Sequence, residues 1–339
     1  MPRTAALITA LLTCAVLPIG ALAAVGAPGR HLAVIDKIPG PDGSWDYASF
    51  DAAHRRVYVA HGKSVMSIDA DSGKVNTAFL PGDGLHEVLP IPGSDLLLTT
   101  NSGDNTVRIY TVDGAPRAQL KVEADADGAA YDPATRLAIV VHGEAGVLSL
   151  VDPRAGKLVG VIKVGGALEF AVVDGRGRLF VNVEDKNEVA VVDLRQRKVL
   201  ARYPVDCKGP GGLGYVSNDR LITACHNNAA EILDAQTGRK IADLEIGGFP
   251  DAVLYDPTRH LAYIPTALDG MLNVVALAGP QNNTVIERVV TQPGARTGAV
   301  DPKTGRVYLP TAQYVLPAAP GQRPSTRPGT FEVLVLDRK

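Results

Sequence analysis

A chain of 339 residues with 46% hydrophobic and 21% charged residues can bury a large core, and it slightly exceeds the usual size of one domain. A formal charge of −2 excludes the basic footprint of a nucleic-acid binder or of a protein held on an anionic membrane surface. With 35 glycines, 24 prolines and 5% aromatic residues, the composition favours many short strands joined by turns over long helices.

At the N-terminus, Arg3 precedes an apolar run from Ala5 to about Leu17, and Ala21-Leu22-Ala23 supplies the small-x-small pattern that a signal peptidase cuts. This predicts a signal peptide over 1–23 and a mature chain that begins near Ala24. Pro18 and Gly20 argue against an uncleaved spanning helix. A lipid-modified Cys14 is the weaker alternative, because Thr13 stands where a small Gly or Ala is wanted. No later stretch is apolar and long enough to span a bilayer. The expected product is a periplasmic or secreted soluble monomer, with no stable membrane span after signal cleavage.

Beyond the signal the chain repeats itself. The segments "RRVYVAH", "SDLLLTTN", "TRLAIVVH", "GRLFVNVE", "DRLITACH", "RHLAYIPT" and "GRVYLPTA" align on Val57, Leu96, Leu137, Leu179, Leu221, Leu261 and Val307. The period is about 42 residues. Each copy carries a short strand, a turn such as "DPTR", a second and a third strand, an Asp/Gly turn such as "DADSGK" or "DAQTGR", and a fourth strand. That grammar predicts an all-β, seven-bladed β-propeller of four-stranded antiparallel blades, as one domain over 24–339. The blades are expected near 45–83, 84–125, 126–166, 167–210, 211–250, 251–295 and 296–339. The last copy stops after three strands, and the orphan segment "HLAVIDKIPG" (31–40) has the pattern of the missing one. Pairing there would close the ring with an N-terminal strand and remove an open edge.

Segments such as "RVYVAHGKSVMSIDADSGKV", "RLFVNVEDKNEVAVVDLRQRKVLARYPV" and "DPKTGRVYLPT" resemble the YVTN-repeat family of exported seven-bladed propellers over nearly the whole mature chain. The literal Tyr-Val-Thr-Asn is absent, and Val57-Tyr58-Val59-Ala60 and Phe180-Val181-Asn182 come nearest. The resemblance implies a fold and an export habit. It supplies no catalytic residues, so function rests on the site.

Strand order decides which residues can meet. In an up-and-down blade, the loops between the second and third strands share one face with the links between blades. His226 ends a second strand, and its counterparts are His61, Asn101, His142, Glu184, Thr266 and Ala312. The links bring Trp45, Asp46, His86, Glu87, Asp125, Asp127, Glu169, Asp251 and Arg296 to the same rim, where the central channel opens. From these, His61, His86, His142, Glu169, Glu184, His226, Asp251 and Arg296 are selected as the candidate ligand-binding set.

Cys207 and Cys225 fall at adjacent rim positions on neighbouring strands, which makes a disulfide plausible in an exported protein, with a buried free pair or a reactive or metal-binding thiol as alternatives. His61, His142 and His226 sit too far around the ring to converge on one ion. No metal or cofactor is therefore assigned, although a pair built on His86 is the easier route to one. "GPGGLG" (209–214) fits a dinucleotide fingerprint but is followed by a strand and not a helix, and reads as a blade link. "EADADG" (123–128) resembles a calcium loop that lacks its last ligand, since Ala134 stands at position twelve. The insertion "QYVLPAAPGQRPSTRPG" (313–329) hangs over the same rim, as a lid, a partner-binding arm or a solvated loop.

Two functional classes follow. One is a non-enzymatic binding or scaffold protein for a small polar ligand or a periplasmic protein partner, and this is favoured. The other is a propeller enzyme at the same face, either a metal-assisted hydrolase or lactonase or a relative of quinoprotein dehydrogenases.

Overall fold

The alternation of apolar and polar residues in each copy is realised as antiparallel strands arranged around an axis. The computed structural model describes residues 31–315 and 325–339, and Leu32–Lys339 form the folded unit. The expected signal peptide over 1–23 and the middle of the 313–329 insertion lie outside the described residues. Five sheets have four strands each, among them Ala126–Asp132, Leu137–His142, Val147–Asp152 and Lys157–Lys163, and the sheet of Pro210–Val216, Arg220–Cys225, Ala229–Asp234 and Lys240–Glu245. No helix among the described residues is long and apolar enough to cross a membrane.

The expected count of seven blades is corrected to six. The first two copies share one six-stranded sheet, whose long strands Arg56–Asp69 and Val75–Ile91 each cover what the repeat splits into two. The cause is local. Gly62, at the bend between the second and third strand segments of copy one, pairs with Leu85 of copy two, so the ladder continues across the boundary that the later copies keep open.

Closure follows the orphan segment. Leu32–Pro39 pairs antiparallel with Glu332–Arg338, from Leu32 opposite Arg338 to Pro39 opposite Glu332, and becomes the outer strand of the last sheet. The inner strands touch in sequence around the axis, and Ala299–Val300 meets Ala48–Asp51 to complete the circle. Arg55 adds a second latch between the chain's ends. Its Nη1 and Nη2 donate to Asp301 Oδ1 and Oδ2 at 2.6 and 2.7 Å, and Asp301 also accepts from the Lys303 N–H in its own turn.

Apolar side chains fill the wedges between neighbouring sheets. Ile139, Leu148 and Leu150 of copy three pack with Leu179, Val181 and Ala190 of copy four. The "GPGGLG" stretch is not a link but the start of the inner strand Pro210–Val216. A side chain at Gly212 would lie 2.8 Å from the Ala252 backbone, so its glycine is a packing requirement of the next copy.

The disulfide expectation holds, with Cys207 and Cys225 bonded across a separation of 18 residues. Replacing both by alanine should destabilise the chain by about 3 kcal/mol through loop entropy. At about 2.1 cal/mol/K per residue, this lowers the melting temperature by roughly 5 °C, readable by calorimetry without and with reductant.

Candidate functional site at the channel mouth

Each inner strand begins at the mouth, and the residues at or just before those starts face one another there. His86 Nδ1 lies 2.6 Å from Asp46 Oδ2 and 3.2 Å from Asp127 Oδ1, while its Nε2 lies 3.0 Å from Ser102 Oγ. These contacts join copies one, two and three. Across the opening, Arg296 Nε lies 2.5 Å from Asp251 Oδ2, and Arg296 Nη2 lies 3.8 Å from Asp46 Oδ1. His226 Nδ1 lies 3.2 Å from Glu184 Oε1, its Nε2 is 3.6 Å from Asp251 Oδ1, and its ring stacks on Phe249 with centroids 4.4 Å apart.

Tyr47 forms the floor of this well. Its ring reaches from copy one across the axis to meet Phe170 of copy four edge-on at 5.2 Å, and a side chain at Gly128 of copy three would lie 3.5 Å from its Cε2. The residue is 6% exposed. Burial, with the charges of Asp127, Asp46, Glu169 and Asp251, raises its hydroxyl well above the usual range, so it stays a proton donor.

The carboxylates shift one another as well. Burial, reinforced by Asp127, Glu184 and Asp251, pushes Glu169 up to about 9. Burial likewise pushes Glu87 up to about 8, with Asp46 and Asp127 adding to it. His86 goes the other way in charge: burial disfavours its cation, but hydrogen bonding to Asp127 and Asp46 outweighs that and pushes it up to about 10. The well therefore holds two protonated acids and an imidazolium at neutral pH.

Of the eight residues selected from sequence, His86, Glu169, Glu184, His226, Asp251 and Arg296 come together at this mouth. His61 and His142 do not, and for them the selection is corrected. His142 is fully buried, donating from Nδ1 to the Ala124 carbonyl at 3.0 Å and meeting Ser149 Oγ at 2.9 Å through Nε2. His61 packs edge-on against Phe331 at 4.4 Å, and burial lowers its basicity. Second strands lie outside the inner ones, so most side chains at their ends are covered by neighbouring loops. Asn101 and Thr266 are likewise spent on local backbone bonds. Trp45 also faces away from the well, packed between Tyr314 and Phe331.

Sequence reasoning placed Asp46, Glu87 and Asp127 on the rim without selecting them, and it missed Tyr47. The available signal was position: Asp46, His86 and Asp127 stand at equivalent points of three successive copies.

No protein-family model matches the chain, and no curated protein matches it. Among solved structures, a chain of the mitotic checkpoint complex crystal structure is similar in fold, with a TM-score of 0.73 and 16% identity, over 90% of this chain and 96% of that one. The fold is widely shared, since 1725 solved chains match. At such identity, the likeness defines the class, a β-propeller, and leaves function to the residues of the mouth.

Proposed function

We propose that the chain is an exported propeller of the YVTN type that acts as a binding protein, capturing a small, positively charged polar ligand in the channel-mouth well. One observation carries this reading: acidic side chains from four different copies, Asp46, Asp127, Asp251 and the protonated Glu169, act together on Tyr47 at the mouth. Such a low-dielectric, acidic concavity concentrates and holds cations. The resemblance to exported YVTN-repeat propellers and the apolar run over 5–17 support export, as does the disulfide, which suits an oxidising compartment. A quinone cofactor would want a ring of basic groups, whereas Arg296 is already paired with Asp251.

The test is binding by charge. Putrescine and spermidine should raise the melting temperature of the purified chain, and should do so less in Asp251→Asn. Equal shifts from anionic or neutral probes, or an unchanged response in the variant, would remove the reading.

A further inference from the structure

Within the well, one corner is built more narrowly than a pocket for an organic cation. One ligand atom each from Asp46, His86 and Asp127 lie within 4.8 Å of one another. They come from three successive copies, whose inner strands lie side by side and are joined by the Tyr47 N–H to His86 carbonyl bond. Neighbouring ligand atoms around a first-row metal ion are spaced about 3.0 to 3.4 Å, given metal–ligand bonds of about 2.1 Å. The 3.2 Å from His86 Nδ1 to Asp127 already has that spacing, and the 2.6 Å to Asp46 opens to it by a small side-chain rotation.

We propose that Asp46, His86 and Asp127 bind one divalent first-row transition-metal ion, which replaces the proton on His86 Nδ1 and releases it to solvent, and that this ion is the positive centre the acidic well is built to hold. The inference rests on the cation-binding reading of the well and sharpens it. Imidazole with two carboxylates favours zinc, manganese, iron or cobalt over calcium or magnesium, which prefer all-oxygen sites.

A second observation points to the same corner. Tyr47 is 6% exposed, and its hydroxyl, in the field of Asp46, Asp127, Glu169 and Asp251, makes no hydrogen bond to another described residue. The hydroxyl oxygen is not sealed from solvent, and a metal-bound water beside it would accept its hydrogen. The ligand shell is also braced from outside. Ser102 Oγ meets His86 Nε2 at 3.0 Å and accepts its proton, while itself bonding to the Gly84 carbonyl, which fixes the ring with Nδ1 toward the carboxylates.

The experiment uses the untagged full chain, stripped with chelator, then titrated with Zn²⁺ by calorimetry and with Co²⁺ by visible absorption. One ion per chain is expected, with a rise in melting temperature and cobalt d–d bands. Asp127→Asn and His86→Gln should each weaken binding about 100-fold or more, and Ser102→Ala about 10-fold, with folding checked by circular dichroism. Should the metals fail to bind while spermidine still stabilises the chain, the metal assignment falls and the cation-binding reading stands. Failure of both removes both. Stoichiometric zinc that survives in folded Asp127→Asn and His86→Gln chains would place the ion elsewhere and overturn the assignment.

Discussion

A chain that lacks residues 32–39 is expected to lose most of its stability and to aggregate, and a synthetic peptide of residues 32–40 added in trans is expected to restore it. The segment pairs along the whole of Glu332–Arg338, and the Gly40 N–H adds a bond to the Phe331 carbonyl. Seven paired positions at roughly 0.5 to 1.5 kcal/mol per net hydrogen bond give a loss of order 5 kcal/mol. That is comparable with the whole margin of a typical domain, about 5 to 15 kcal/mol. Leu32 also leaves the core it shares with Leu334 and Leu336. Without the segment, Glu332–Arg338 becomes an apolar edge strand open to other chains. Because strand donation in trans is a known mode of β-augmentation, rescue by the peptide separates this role from nonspecific loss of fold. A truncated chain that melts with the full-length one would refute it.

The Arg55–Asp301 latch gives the second large effect. Asp301 is fully buried, so Arg55→Ala strands a carboxylate without its cation and should cost about 3 to 5 kcal/mol. Asp301→Asn keeps the turn's hydrogen bonds and removes the charge, and should cost less. Burial alone would raise the Asp301 carboxyl, but the Arg55 hydrogen bonds hold it down to about 2. The sign follows from that depression. The contribution is complete above the ordinary value of 3.8 and disappears as pH falls through about 2, because protonation then favours the unfolded chain. Denaturant melts of the wild type between pH 5 and pH 2 should show this acid limb. Asp301→Asn should flatten it, and an identical limb in the variant would contradict the assignment.

Much of the architecture was legible because it is periodic. Strand alternation around Leu137, Leu179 and Leu221, the Asp-rich turns and the orphan segment over 31–40 pointed to the blade type and the closing strand, and adjacent rim positions made the Cys207–Cys225 disulfide the favoured of several readings. The sheet count was not legible, because one backbone pairing, Gly62 with Leu85, merges the first two copies and leaves no mark in the hydrophobic pattern. The site was legible by face, and less so by depth. Equivalent positions in the repeat told which residues share a rim. They did not tell that His142 turns inward to Ser149 while His226, at the same position two copies later, turns to Asp251. Tyr47 escaped notice because its role depends on contacts across the axis with Gly128 and Phe170, which no repeat position encodes.

The packing of neighbouring copies sets the carboxylates of Asp46 and Asp127 on either side of His86. The direct measurement is the titration of the histidine ring carbons by NMR in the metal-free chain. One histidine, absent from the spectrum of His86→Gln, should remain an imidazolium up to about pH 10, held by Asp46 and Asp127, and should drop toward its ordinary value of 6.5 in Asp127→Asn. If every histidine instead loses its proton near or below the ordinary value, Asp46, His86 and Asp127 do not meet at the mouth.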